Sequence, residues 1–277
     1  MAFTGNPAEG LGGRPNVPDS LEGGACYRAF VEADTLVRPI PVDRETALRR
    51  AGHLEARWLG RIAYREAHAL QRRLVDQRVA GSIGDQLLLL EHPAVLTLGR
   101  NSDPAHILAT PADLVARGMT VERIERGGEV TYHGPGQLVA YPIIRLADRG
   151  ILVRPLVRAL EAALSETCTA LGVAAGRRDG HPGCWCDPDG PEPRKIGALG
   201  LRVERGVSFH GIALNVSVDL ADFGLIDACG MPGVVSTSID RELGVDRPPS
   251  TDSVEKSARI FAPAFAAAIG ATLVIGD

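Results

Sequence analysis

The 277-residue sequence predicts an α/β domain built on a mixed sheet, an α+β arrangement, and three observations carry that expectation. Two long amphipathic segments place apolar residues at three- and four-residue spacing. Short apolar runs of strand length lie between them. No regular β-α-β rhythm orders the two kinds of element. With 45% hydrophobic residues, the chain has enough apolar material for one large core.

Residues 1–24 hold six glycines and three prolines with few large apolar side chains, a composition that predicts disorder. Residues 1–55 as a whole are read as an N-terminal extension, with the folded domain spanning 56–277. From Trp58, the spacing of Leu59, Ala63, Ala67, Leu70 and Leu74 predicts a helix ending near Gly81. Residues 87–90 and 95–98 read as two buried strands joined by a turn at Glu91-His92-Pro93. Thr110 caps a short helix, with Pro111 at its first position and Gly118 past its end. A strand over 119–124 feeds a glycine-rich loop over 125–137, and a strand over 138–146 leaves it. A second long helix follows Arg154 and stops at Gly172. Strands are expected at 184–186, 195–203 and 207–216, then an irregular stretch over 219–233. The last helix starts from Asp252 or Ser253, with Asp252 and Glu255 as a capping box. Residues 260–276 carry no charge, but Pro263 and Gly270 interrupt them, so a buried helix and a strand over 272–275 fit better than a membrane span.

A net charge of -4 and a pI near 6.0 argue against a phosphate-backbone binder, so nucleic acid is not an expected partner. The opening residues lack a charged-then-apolar signal pattern, and five cysteines in this length do not make a disulfide framework; a cytoplasmic protein with free cysteines is expected. Cys184-Trp-Cys186 lacks the spacing of a zinc knuckle, and two cysteines on one strand face suit a core, so no metal is expected. The glycine pattern also misses both GxGxxG and the phosphate-loop Lys-Ser/Thr.

Three places offer chemistry. The 125–137 stretch, with four glycines, is either a surface turn or a wall that lets a ligand approach backbone amides. Cys229 stands in the irregular, glycine-flanked Asp227-Ala-Cys-Gly-Met-Pro-Gly233, where a thiol is either incidental or an exposed nucleophile. Lys195 opens an apolar strand and either reaches solvent or points inward; inward and beside Cys229, an amine would lower the thiol pKa and serve as its base.

Five motifs occur in one order: Leu90-Glu-His-Pro-Ala-Val-Leu-Thr-Leu-Gly-Arg100, Arg126-Gly-Gly-Glu-Val-Thr-Tyr-His-Gly-Pro-Gly-Gln137, Lys195-Ile-Gly-Ala-Leu-Gly-Leu201, His210-Gly-Ile-Ala-Leu-Asn215, and Ala228-Cys-Gly-Met231 with Thr237-Ser238. Together they resemble the lipoyl(octanoyl) transferases over residues 58–243. The resemblance implies the single-domain α/β fold shared with biotin and lipoate protein ligases. It implies octanoyl transfer from acyl carrier protein to a lysine of lipoyl domains, those of oxo-acid dehydrogenase E2 subunits and of glycine cleavage H protein. No cofactor is implied, because the acyl group arrives on the carrier's phosphopantetheine. Cys229 matches the acyl-thioester cysteine and Lys195 the lysine that lowers its pKa. Arg126, Gly127, Gly128, Glu129, Val130, Thr131, Tyr132 and His133, with Ala198, Leu199, Gly200, Gly211, Ile212 and Ala213, match the substrate-contacting segments. Departures include Ala228 where proline commonly precedes the cysteine, and Cys184 and Cys186 where valines are frequent. Two alternatives stand beside this reading. One is an ATP-dependent lipoate ligase, whose pattern usually differs at Tyr132-His133 and Gln137; the other is a non-catalytic carrier-binding or lipoyl-domain-binding module.

Overall fold

The computed structural model describes residues 52–100, 102–227 and 233–276. Most of the expected extension, its glycine-rich residues 1–24 and Cys229 therefore lie outside the described residues.

The described chain runs β1 (His53–Arg61), α1 (Tyr64–Val79), β2 (Asp85–Glu91), β3 (Val95–Leu98), α2 (Pro111–Ala116), β4 (Thr120–Arg123), β5 (Val130–His133), β6 (Gln137–Ile143), α3 (Leu146–Arg149), α4 (Val153–Ala170), β7 (Gly176–Arg178), β8 (His181–Cys186), β9 (Arg194–Glu204), β10 (Val207–Asn215), β11 (Val235–Ser236), α5 (Ile239–Glu242), α6 (Thr251–Ala268) and β12 (Thr272–Ile275). Among the described residues a large sheet has the order β12-β1-β2-β6-β10-β9-β8-β7, with β11 added beside β9, and a small sheet has the order β4-β3-β5. The pairs β1–β12, β1–β2, β9–β11 and β3–β4 are parallel, and the other pairs are antiparallel, so the expected mixed sheet is present.

The central strands β2, β6 and β10 are buried along their whole length, which explains why they read as continuous apolar runs. Helices α4 and α6 cover one face with Leu156, Leu160, Leu164, Phe261 and Phe265, and Cys168, Cys184 and Cys186 belong to this core. The shared face predicted for Cys184 and Cys186 is thus a packed one, and burial pushes the Cys186 thiol up to about 12. Helix α1 covers the opposite face through Ala67, Leu74 and Val75.

Several boundaries differ from the sequence reading. Residues 58–61 are strand, because β1 fills the gap between β2 and β12 and satisfies its backbone there; α1 begins only at Tyr64. This strand starts at His53, so residues 53–55 belong to the sheet and not to the extension. Strands β2 and β3 lie in different sheets, which the intervening turn could not reveal. The glycine-rich stretch is not loop throughout, since residues 130–133 form β5 against β3. The irregular stretch holds a 3-10 turn over Leu220–Leu225, capped by the Asp219 carboxylate. Helix α6 is capped by Ser250, not by Asp252, and Glu255 pairs with Arg259 one turn on. The Thr110 cap is present as expected and forms a full capping box with Asp113. No helix among the described residues is long and apolar enough to cross a membrane.

Candidate active site

A cavity opens between the glycine-rich segment and the β9–β10 hairpin. Three cross-strand rungs floor it: Ala198 opposite Ala213, Leu199 opposite Ile212, and Gly200 opposite Gly211. At the last rung neither strand carries a Cβ, which leaves the space open. Gly211 tolerates nothing larger, since a Cβ there would sit 2.1 Å from the Ala140 carbonyl oxygen.

The wall is the segment over 126–131. Its anchor is Arg126, buried, which donates from Nη2 to the Thr97 carbonyl at 2.7 Å and to Thr97 Oγ1 at 2.9 Å, and from Nη1 to the Gly127 carbonyl at 3.1 Å. The Gly127 amide donates to the Leu201 carbonyl at 3.3 Å and joins the wall to β9. Behind the wall, the buried Glu91 carboxylate accepts from the Gly136 amide, from Arg61 Nε at 2.9 Å and from Thr251 Oγ1 at 2.8 Å. The turn between β5 and β6 is therefore held by a residue 45 positions earlier in the chain.

Of the site residues expected from sequence, Arg126, Gly128, Glu129, Val130, Thr131, His133, Lys195, Ala198, Leu199, Gly200, Gly211, Ile212 and Ala213 line this one cavity. Two do not. Gly127 is turned into the backbone contact with β9. Tyr132 faces the other way on β5 and packs edge-on against Phe223 in a separate apolar cluster, because adjacent residues of a strand face opposite sides. Cys229 lies outside the described residues. Tyr64, Tyr141, His210 and His181 also line the cavity. Tyr64 and Tyr141 carried no signal beyond ordinary core aromatics.

Lys195 is 8% exposed, and its Nζ lies 5.3 Å from the centre of the Trp185 ring, a cation–π distance. It thus takes the inward option. The strand carrying it is extended by β11: Ser236 pairs with Lys195, and the Thr237 amide donates to the Lys195 carbonyl at 3.0 Å. Gly183 lies alongside, where a Cβ would come 3.2 Å from Lys195 Cε and 2.4 Å from the Gly197 carbonyl.

His133 and His210 line the cavity, and His92 lies beside His133 with ring centres 5.9 Å apart. His92 donates from Nδ1 to the Ile62 carbonyl at 2.8 Å and accepts at Nε2 from the Tyr141 hydroxyl at 2.9 Å. His210 has left-handed backbone, φ +56°, which breaks strand alternation, so its ring stacks on that of its neighbour Phe209 at 4.7 Å. Both of its buried ring nitrogens lack hydrogen-bond partners. Burial lowers the pKa of His92 to about 4 and of His133 to about 3, and that of His210 well below the ordinary histidine range. These rings are neutral at neutral pH. His68, Glu125 and His210 bring one ligand atom each within 4.8 Å of one another, but Arg72 lies 3.5 Å from the same carboxylate and its fixed charge opposes a cation there.

The histidines set a pH dependence of stability. Unfolded, each titrates near ~6.5, while folded they refuse the proton down to about 3 and about 4 for His133 and His92. The unfolded chain therefore binds more protons in that window, and stability is complete above about pH 6.5 and falls as pH drops, by ~1.4 kcal/mol per pH unit for each such group. Denaturant midpoints measured from pH 7.5 to 5 are expected to fall steeply, and His133→Gln is expected to flatten the slope.

The slot floored by these rungs thus has buried Lys195 toward the start of β9 and the uncharged His210 opposite Leu201, six residues further along that strand. The chain belongs to the lipoyl protein ligase A/B catalytic domain family, whose sequence model matches residues 63–262. It is 46% identical over 217 residues to an octanoyltransferase of Acidobacterium capsulatum, covering 75% of this chain and 88% of the relative. It is 48% identical over 192 residues to an octanoyltransferase of Mycobacterium sp. (strain KMS), covering 69% and 77%. Its fold is similar to a bipartite lipoate protein ligase from Thermoplasma acidophilum, with a TM-score of 0.59 at 15% identity, over 81% of this chain and 86% of that one.

Proposed function

We propose that this chain is an octanoyltransferase: it moves an octanoyl group from acyl carrier protein to a lysine of lipoyl domains, including the glycine cleavage H protein, in two steps and without a cofactor of its own. The acyltransferase reading rests on relatives close to half identical over most of the chain. The observation that supports it most strongly in the structure is the inward Lys195, buried against the apolar slot on a strand hydrogen-bonded to β11. Ser236 of β11 comes seven residues after Cys229 (236 minus 229). The chain leaving Cys229 is thus tied to the strand of the lysine with which it is proposed to work.

In the first step Lys195 takes the Cys229 proton and the thiolate attacks the carrier thioester. A new carbon–sulfur bond forms, and the carrier thiol leaves with a proton. In the second step the target amine attacks the acyl-enzyme, a carbon–nitrogen bond forms, and the Cys229 thiolate departs while Lys195 accepts the amine proton. Dividing the transfer lets the two protein substrates visit in turn. The apolar floor would bind the acyl chain, and the wall over 126–131 would exclude water from the thioester.

Octanoyl carrier protein and a purified lipoyl domain, mixed with the protein, are expected to give octanoylated domain with no nucleotide present. Dependence on ATP would instead establish the ligase reading. No product from the carrier under either condition would overturn catalysis of this transfer.

A further inference from the structure

His133 lines the cavity, and the orientation of its ring is set by a chain of hydrogen bonds that ends on a backbone carbonyl. Asn215 Nδ2 donates to the Thr237 carbonyl at 2.9 Å. A carbonyl only accepts, so Asn215 Oδ1 must be the atom turned to Gln137, where it accepts from Nε2 at 2.9 Å. The Tyr132 carbonyl, 3.3 Å from Gln137 Nε2, fixes the same amide orientation independently. Gln137 therefore presents Oε1, an acceptor, to His133 Nδ1 at 2.7 Å, and Nδ1 must carry the hydrogen. What remains on His133 is the Nε2 lone pair, with no hydrogen-bond partner among the described residues.

The arrangement is specific to the register. Gln137 and Asn215 are opposite one another in the β6–β10 pair, at the mouth of the turn that Glu91 holds. Thr237 follows β11, so the same chain of bonds reaches the segment paired with Lys195. A neutral imidazole with a lone pair in the cavity suits a donor that arrives there and is absent otherwise. In the proposed reaction the donor of that kind is the target amine. It has two N–H bonds and a lone pair: one N–H can be held while the lone pair attacks, and the held N–H becomes a stronger donor as positive charge develops on nitrogen.

We propose that Gln137 and Asn215 are positioning residues that hold His133 as its Nδ1–H tautomer, so that Nε2 accepts a hydrogen bond from the incoming amine and aims its lone pair at the acyl carbonyl. This rests on the transferase reading above. Lys195 remains the base; His133, kept neutral by burial, contributes an acceptor and does not take the proton.

Nitrogen-15 NMR of the imidazole rings tests the tautomer in the unmodified protein, whatever its activity. A protonated Nδ1 and bare Nε2 for His133 are expected, and a protonated Nε2 would overturn the proposal. The two half-reactions then test the role. Gln137→Leu is expected to slow transfer from acyl-enzyme to lipoyl domain about ten-fold or more, while acylation by octanoyl carrier stays within about two-fold; ten-fold corresponds to ~1.4 kcal/mol. Equal slowing of both halves would mean that His133 serves Lys195 or the fold, and would overturn the proposal, as would no change in transfer. If the unmodified protein makes no acyl-enzyme, the transferase reading has failed, and the NMR result still decides the tautomer.

Discussion

Lys195→Ala is expected to retain the fold and to lose octanoyl transfer by about 10³-fold, within the range that a positioned acid–base group supplies. Lys195 is buried and lines the cavity, its Nζ 5.3 Å from the Trp185 ring centre, on the strand that also pairs with β11. Alanine gives up the Trp185 contact but keeps the β9 backbone pairing, while removing the group that takes the thiol proton and later the amine proton. The loss should therefore fall on kcat, with little change in the KM for the lipoyl domain. Lys195→Arg should not rescue, because a guanidinium does not give up its proton in a protein. Lys195→Ala retaining more than about a tenth of the activity would remove lysine from the mechanism.

Gly211→Ala is expected to destabilise the protein by about 3 kcal/mol, the upper part of the range for overpacking a core. The added Cβ would lie 2.1 Å from the Ala140 carbonyl oxygen and 2.8 Å from Pro142 Cδ. These are backbone and ring atoms of β6, which is buried along its length and has no room to yield. For a domain of this size the melting temperature should fall by roughly 6 to 12 °C. Gly176→Ala is the control: it lies on the short strand β7, and its nearest neighbour would be 4.0 Å away. Equal melting temperatures for the two variants would mean that the β6–β10 contact is looser than described.

The sequence was most informative where burial is uniform. The runs at 87–90 and 207–216 read as strands because the central strands are covered on both faces, and helices α1 and α4 announced themselves by apolar spacing. Strand β1 was misread because its alternating pattern overlaps the helical spacing that follows, and its partners β2 and β12 are distant in sequence. The motif segments located the cavity almost entirely. Once 130–133 is strand, Tyr132 faces away from its neighbours Thr131 and His133, while Val130 at the start of β5 belongs to the same apolar cluster and still meets the cavity. The loop reading concealed this. Glu91, Asn215 and Tyr141 make their side-chain hydrogen bonds to residues between 22 and 160 positions away, and no local signal encodes such distances.

The proposed transfer passes through a covalent octanoyl-enzyme at Cys229. The most direct measurement is the intact mass of the protein after incubation with octanoyl carrier protein and no lipoyl domain, followed by peptide mapping. One octanoyl addition is expected, located on the peptide containing Cys229, released by lipoyl domain and absent from Cys229→Ser. Full transfer activity in Cys229→Ser, or an unmodified Cys229 in a protein that transfers octanoyl normally, would contradict it.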